Sequence, residues 1–129
     1  MEDTKLFHEI ATQLQTVLPQ DWEKVCLFAE VTENSYQLFY YVFVKGQHRA
    51  VQCYNLTKEY QISEGDIDAV FALLAKLLRT SKAENQQTWA IFTFVLSPDG
   101  TFHADYDYDD HSENMFAYKQ EWKKKYLCM

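Results

Sequence analysis

Residues 89–108 hold the strongest fold signal in the sequence, a β-hairpin encoded by the order of residue types. The apolar segment WAIFTFVL, rich in β-branched and aromatic side chains, runs directly into SPDG. Proline fixes φ at the first corner of such a turn, and glycine tolerates positive φ where the chain re-enters the sheet. The following segment, TFHADYDY, alternates in polarity with the period of a strand. These residues therefore predict two antiparallel strands joined at residues 97–100.

Three further strands are predicted upstream. Segments 23–32, 36–44 and 48–54 are rich in branched and aromatic side chains, and turn-forming residues separate them. Such short spacing is typical of an antiparallel meander. The order of the five strands in the sheet does not follow from these patterns.

Helices are expected before, within and after the strands. Apolar residues at helical spacing predict a first helix over residues 4–18, which Pro19 ends. Ser63 with Asp66 is a variant of the capping box and starts a second helix that extends to about residue 80. Ser112 is expected to cap a last helix. The sequence thus predicts an α+β fold, with a mostly antiparallel sheet of about five strands flanked by two or three helices.

Length and composition predict one domain over residues 1–129. Apolar residues make up 47% of the 129 residues, with only three glycines and two prolines, which is typical of a compact globule. The first residues carry acids where a secretory signal needs bases, and no apolar stretch approaches the roughly 20 residues of a membrane span. We expect a cytoplasmic protein without a membrane partner.

The three cysteines, Cys26, Cys53 and Cys128, are odd in number and show no zinc-binding spacing. They are expected to be reduced, with Cys26 and Cys53 buried as small apolar residues. No phosphate-cradling glycine loop, nucleophile motif or cofactor motif occurs, so no cofactor and no catalytic residue is predicted.

The negative charge is concentrated in one segment. Residues 83–118 contain seven acidic side chains and no Lys or Arg, so this segment alone accounts for the formal net charge of -7. A surface of this kind repels nucleic acid and anionic membranes and attracts a basic partner. The run Lys123-Lys124-Lys125 is interpreted as a solvated helix end, favoured by the helix dipole, and direct nucleic-acid binding is not expected.

Strand alternation divides the residues of the second hairpin strand between two faces. It places Phe102, Ala104, Tyr106 and Tyr108 on one face, and Thr101, His103, Asp105 and Asp107 on the other. The carboxylates of Asp105 and Asp107 are then neighbours in a row about 7 Å apart. We expect this row to face water.

Three interpretations of the acidic row remain open on the residues alone. The first is a solvent-exposed surface without a binding function, and the second is a surface that docks a cationic protein. The third is a metal site built from His103, Asp105 and Asp107, with the acids and His111 behind them. The last of these describes a small metal-dependent hydrolase. No known metal-binding motif supports it, and a row along one twisted strand diverges, so no metal ligand is predicted. A scaffold that joins an oligomer through the aromatic sheet is a further possibility, and the oligomeric state is not determined.

The order of several segments resembles the YezG-like family of bacterial immunity proteins. These are LPQDWEKVCLFAEV after the first helix, LFYYV, TWAIFTFVL, SPDGTFHADYDYDD and a closing Trp122 with Tyr126-Leu127. The resemblance covers nearly the whole chain, and the P-x-x-W-E-K-V and D-G-x-F-x-x-D-Y-D-Y segments are its most specific parts.

The resemblance implies an antitoxin that binds the nuclease domain of a secreted toxin and is not an enzyme. It also implies that Trp22, Trp89, Trp122 and Tyr106 are mainly structural. A nuclease must hold phosphates on a basic cleft, which an acidic protein can occupy. The predicted partner-binding residues are Asp105, Asp107, Tyr108, Asp109, Asp110 and Glu113. The toxin, its DNA or RNA substrate and the mode of inhibition do not follow from the sequence.

Overall fold

The computed structural model describes residues 2–127, and its strands and helices confirm the predicted α+β class. In chain order the elements are α1 (Glu2–Gln15), β1 (Trp22–Val31), β2 (Tyr36–Val44), β3 (Val51–Gln52), α2 (Asn55–Tyr60), α3 (Glu64–Glu84), β4 (Ile91–Leu96), β5 (Phe102–Asp107) and α4 (Met115–Leu127). A single 3-10 turn, Ser112–Asn114, precedes α4.

The strands form one antiparallel sheet with the order β3-β2-β1-β4-β5. The central strand β1 pairs with β2 on one side and β4 on the other, and most of its residues are buried. The predicted β4–β5 hairpin is present, with Leu96 opposite Phe102 and Ile91 opposite Asp107. Strand β5 therefore lies at one edge of the sheet.

Helices cover both faces of the sheet, which divides the apolar interior into two clusters. The larger cluster lies on the face that carries α1, α2 and α3, and it includes Tyr40, Leu74 and Trp89. The smaller cluster lies under α4 and includes Phe28 and Trp122. A sheet covered on both faces explains why β1 and β4 are apolar almost throughout, without the alternation of a half-exposed strand.

Several sequence expectations are confirmed in detail. Ser63 caps α3, because its Oγ accepts the backbone N–H of Asp66 at 3.3 Å. Cys26 and Cys53 are buried free thiols, while Cys128 lies outside the described residues. Within the described part of the chain, the helices are too short or too polar to cross a lipid bilayer.

The segment predicted as a strand over residues 48–54 is mostly not a strand. Only Val51–Gln52 pairs with β2, and the short helix α2 follows at once. The Gln52 side chain accepts the backbone N–H of Tyr54 at 3.0 Å and turns the chain out of the sheet. Leu56 is the buried residue of α2, and one apolar side chain creates no helical periodicity in the sequence.

The bounds of two predicted helices also differ. Helix α1 ends at Gln15, and the chain then tightens into i→i+3 bonds such as Val17 N–H to the Leu14 carbonyl at 3.1 Å. Helix α3 continues to Glu84, through polar residues beyond the predicted end near residue 80. A solvent-facing helical turn has no apolar periodicity, so the pattern of residues does not reveal it.

Candidate functional site

The acidic row lies on the face of β5 that α4 covers. On the opposite face, Phe102 packs on Phe94 with ring centroids 5.4 Å apart, and Tyr106 packs on Phe92 at 5.2 Å. The predicted division of β5 between two faces is therefore confirmed from Phe102 to Asp107. Tyr108, just beyond the strand, is 59% exposed.

Trp122 fixes α4 over the sheet. Its indole is 2% exposed and meets Phe28 edge to face, with centroids 5.7 Å apart. The indole Nε1 donates a hydrogen bond to Thr93 Oγ1 at 2.9 Å. Thr93, on β4, is only 3% exposed, so this bond is shielded from water and ties the helix to one position on the sheet.

The expectation that the acidic row faces water is wrong. The hydroxyl of Tyr126 donates to Asp105 Oδ2 at 2.5 Å, and His111 Nε2 lies 3.0 Å from Asp107 Oδ2. The side chains of Asp105 and Asp107 are 35% and 30% exposed. Strand alternation determines which face a side chain occupies, but not which helix packs there.

These contacts change the pKa values of Tyr126 and Asp107. Burial raises the pKa of the Tyr126 phenol, and the hydrogen bond to Asp105 raises it further, so the phenol remains a donor at neutral pH. Burial raises the pKa of the Asp107 carboxyl, but the backbone N–H of Asp109 and the His111 side chain lower it by more. The net pKa of Asp107 lies below its ordinary value, so this carboxylate is charged at neutral pH.

The segment after β5 is held in place by its own acids. Asp107 Oδ1 accepts the backbone N–H of Asp109 at 2.9 Å, and Asp110 Oδ1 accepts that of Ser112 at 2.9 Å. The imidazole of His111 stacks on Tyr118 with centroids 4.1 Å apart. The prediction that Ser112 caps the last helix is wrong, because Ser112 is the first residue of the 3-10 turn that precedes α4, and the N-cap position of that turn is His111.

Burial differs among the predicted partner-binding residues. Asp105 and Asp107 are half-buried, whereas the remaining four are exposed: Tyr108, Asp109, Asp110 and Glu113. The backbone N–H and the hydroxyl of Ser112 lower the pKa of Asp110, which keeps this exposed carboxylate charged. The segment from residue 108 to residue 113 therefore projects negative charge into solvent.

A pocket of about 490 Å³ opens between β5 and α4. Asp105, Asp107, Asp109 and Glu121 supply its carboxylates, and Tyr118, Trp122 and Tyr126 supply aromatic walls. Glu121 was not predicted from the sequence, because it lies outside the segment that lacks bases. The spacing of residues in the last helix could have identified it, because Glu121 lies three residues after Tyr118 and therefore on the same face of α4.

Five of the segment's seven acids lie at one end of the hairpin, and two do not. Asp99 is in the turn at the other end of β5, where it accepts the N–H and the hydroxyl of Thr101. Glu84 lies beside the groove between α1 and α3. We define the acidic surface by the following residues: Asp105, Asp107, Tyr108, Asp109, Asp110, Glu113 and Glu121.

No Lys or Arg of the described residues forms an ion pair with the acidic surface, although Lys125 lines the same pocket. In the described part of the chain, the only basic side chains within ion-pair distance of a carboxylate are two histidines, His103 at 2.9 Å from Asp105 and His111 at 3.0 Å from Asp107. Lys119 is directed to β2, where it donates to Gln37 Oε1 at 2.8 Å, and Lys123 lies over the Tyr41 ring. These two lysines of α4 thus lie on the side of the helix away from β5, whereas Lys125 lies over the Tyr126 ring, 5.2 Å from its centroid.

Of the predicted row, only Asp107 belongs to the group of side chains that could share a cation. Among the described residues, Asp107, Asp109 and His111 form a group in which ligand atoms lie within 4.8 Å of one another. His103 and Asp105 are not part of it. The row His103, Asp105 and Asp107 therefore does not converge on one point, whereas Asp109 and His111 behind it approach Asp107.

The comparisons with known proteins agree with one another. A sequence model described as "Immunity protein YezG-like" matches residues 4–129. The chain is 28% identical over 109 residues to "Immunity protein YezG" of Bacillus spizizenii, covering 81% of this chain and 68% of the relative. It is 26% identical over 118 residues to "Type VII secretion system protein EsaG" of Staphylococcus aureus, covering 88% and 72%. A third relative, "Immunity protein YezG" of Bacillus subtilis, is 25% identical over 109 residues, covering 81% and 72%.

Proposed function

Because the chain belongs to the YezG-like family of immunity proteins, we propose that it neutralises a nuclease toxin by binding the toxin's cationic surface through the acidic surface. In this proposal the protein is a cytoplasmic inhibitor and not an enzyme. The partner is the cognate toxin domain, and neither nucleic acid nor a membrane binds the chain directly.

The observation that supports the proposal most strongly is the concentration of unneutralised carboxylates at one end of the hairpin. Seven acids and no Lys or Arg occur between residues 83 and 118, and five of those acids belong to the acidic surface. Like charges held this close raise the energy of the folded chain unless a partner relieves the repulsion. A cationic protein surface provides that relief.

A nuclease is a suitable cationic partner on physical grounds. An enzyme that holds a nucleic-acid backbone needs Lys and Arg side chains arranged against phosphates. Carboxylates presented by a rigid hairpin and helix can occupy the same groups and displace the substrate. The acidic pocket beside Trp122 adds aromatic walls, which favour guanidinium and ammonium groups through their ring faces.

The surface available is sufficient for a specific complex. The accessible surface of the protein is 7828 Å². A standard protein interface takes about 800 Å² from each partner, roughly a tenth of that area. An interface of that size centred on the acidic surface leaves most of the protein uncovered, and the charge of the acidic surface accelerates association with a cationic partner.

The proposal is tested by co-expressing the chain with candidate toxin domains encoded in the same genome. We expect one toxin to lose its lethality and to co-purify with the chain. The purified complex should not cleave DNA or RNA, whereas the toxin released from it should. Neutralisation of a toxin that cleaves no nucleic acid would refute the nuclease part of the proposal.

Competition separates direct block from distortion of the toxin. If the acidic surface covers the phosphate-binding groups, a catalytically inactive toxin variant should bind either an oligonucleotide or this chain, but not both. Formation of a ternary complex would show that inhibition occurs elsewhere on the toxin.

A further inference from the structure

Phe116 is the most exposed large hydrophobic side chain of the described residues. It is 79% exposed, and Tyr108, at 59%, follows it. Both lie in the segment that carries acids and no bases. Neither belongs to the apolar clusters that stabilise the fold, so the free protein gains little from their aromatic character.

The position of Phe116 on α4 separates it from the residues that dock the helix. Tyr118, Trp122 and Tyr126 on α4 pack towards the sheet and are half-buried or buried. Phe116 lies in the first turn of α4 on its outward side, one helical turn after the exposed Glu113. An aromatic ring and a carboxylate are thus presented together to solvent.

Asp105 and Asp107 are less free to meet a partner than the residues that follow β5. Each is half-buried and engaged with Tyr126 or His111 of the same chain. Their contacts hold α4 and the loop 108–111 against the hairpin. The outward part of the acidic surface is therefore formed by Asp109, Asp110 and Glu113, next to Phe116 along the chain.

We infer that Phe116 is the apolar anchor of the complex with the toxin, inserting into an apolar pocket that Lys and Arg side chains of the toxin surround. This inference rests on the proposed function and adds to it a residue that provides affinity. Interfaces concentrate their binding energy in a few aromatic side chains, and surrounding polar contacts exclude water from them. Phe116 is an exposed aromatic that follows three exposed carboxylates along the chain, and these charges favour Lys and Arg side chains around the pocket that receives it.

A second copy of this chain is a poor occupant for the same surface. A two-fold interface brings a patch against itself. Asp109, Asp110 and Glu113 would then face their own copies without any Lys or Arg from the segment to compensate. A cationic partner turns the same charges into attraction.

The test uses the toxin domain recovered by co-expression and compares Phe116→Ala with wild type by surface plasmon resonance. We expect Kd to rise at least about 30-fold, mainly through faster dissociation, with the salt dependence of the association rate unchanged. The matched control is Tyr36→Ala, which removes another exposed aromatic, 46% exposed, from the start of β2 and should change Kd by less than about twofold. Phe116→Leu should recover most of the affinity, because it retains an apolar side chain.

The outcomes separate this inference from the proposed function. If Phe116→Ala binds like wild type while Asp109→Asn with Asp110→Asn slows association, the anchor is refuted and the acidic surface stands. If none of these substitutions alters binding, or if no toxin is neutralised, both are overturned. Sedimentation showing a dimer that Phe116→Ala dissociates would overturn the anchor in favour of self-association.

Urea unfolding of the unbound variant shows whether Phe116→Ala loses affinity because the chain misfolds or because the contact with the toxin is lost. Because Phe116 is 79% exposed, Phe116→Ala should leave the urea midpoint of the unbound protein unchanged. A large drop in that midpoint together with weaker binding would assign Phe116 to the fold and contradict its role as an anchor.

Discussion

The hydrogen bond between Trp122 and Thr93 should be measurable as a coupling energy. Thr93→Val removes the acceptor and leaves the indole N–H of Trp122 buried without a partner, a cost of about 1–3 kcal/mol. Trp122→Phe leaves the Thr93 hydroxyl unpaired and removes part of a buried ring. This substitution should lower the free energy of unfolding by about 2–4 kcal/mol.

The double variant should lose less free energy of unfolding than the two single losses added together. With both partners absent, no unpaired group is left in the core. The loss in the double variant should therefore be smaller than the sum of the two single losses by about 1–2 kcal/mol. Urea unfolding followed by far-UV circular dichroism measures the four free energies. Additivity to within about 0.3 kcal/mol would refute the claim that this bond fixes α4 on the sheet.

Three further predictions concern the hairpin turn, the capped helix and the acidic row. Gly100 has φ +91°, so Gly100→Ala should lower the free energy of unfolding by about 1 kcal/mol in urea, whereas Gly65→Ala, inside α3, should not lower it. Ser63→Ala removes the cap of α3 and should cost about 1 kcal/mol in the same assay, and an unchanged midpoint would contradict the cap. Folding lowers the pKa of Asp107 below its ordinary value of 3.8. The ionised Asp107 carboxylate therefore stabilises the fold above pH 3.8, and this stabilisation is lost as the pH falls through the pKa of the folded state. Asp107→Asn should therefore reduce the acid-induced loss of stability in thermal melts, and an unaltered pH profile would show that this carboxylate is not linked to folding.

The parts of the fold that depend on local patterns were predictable from the sequence. The β4–β5 hairpin is encoded by its own turn and alternation, and α3 by its cap and apolar spacing. The strand order was not predictable, because β1 pairs with β4 across about sixty intervening residues and no local rule selects that pairing. The short helix α2 was missed because a single buried leucine carries no periodicity.

The candidate site was predicted in its residues but not in its surroundings. The acids and Tyr108 were identifiable from the charge imbalance and from the resemblance to a family. The packing of α4 over Asp105 and Asp107 was not, since it depends on Trp122 reaching Thr93 on a strand twenty-nine residues earlier. Glu121 lies outside the segment without bases, and it joins the pocket only through the docking of α4.

The most direct test of the acidic surface is the rate of toxin association as a function of ionic strength. The informative variant replaces Asp109, Asp110 and Glu113 together by their amides, since these side chains are exposed and can be changed without opening the core. At low salt we expect its association rate to fall at least about tenfold and its salt dependence to become shallower than that of wild type.

The matched control neutralises three exposed acids on other elements, Asp21, Glu23 and Glu59, and so has the same net charge as the test variant. The proposal predicts near wild-type association rates and salt dependence for this control. Equal rates for the test and control variants at every ionic strength would contradict the claim that the toxin docks on the acidic surface.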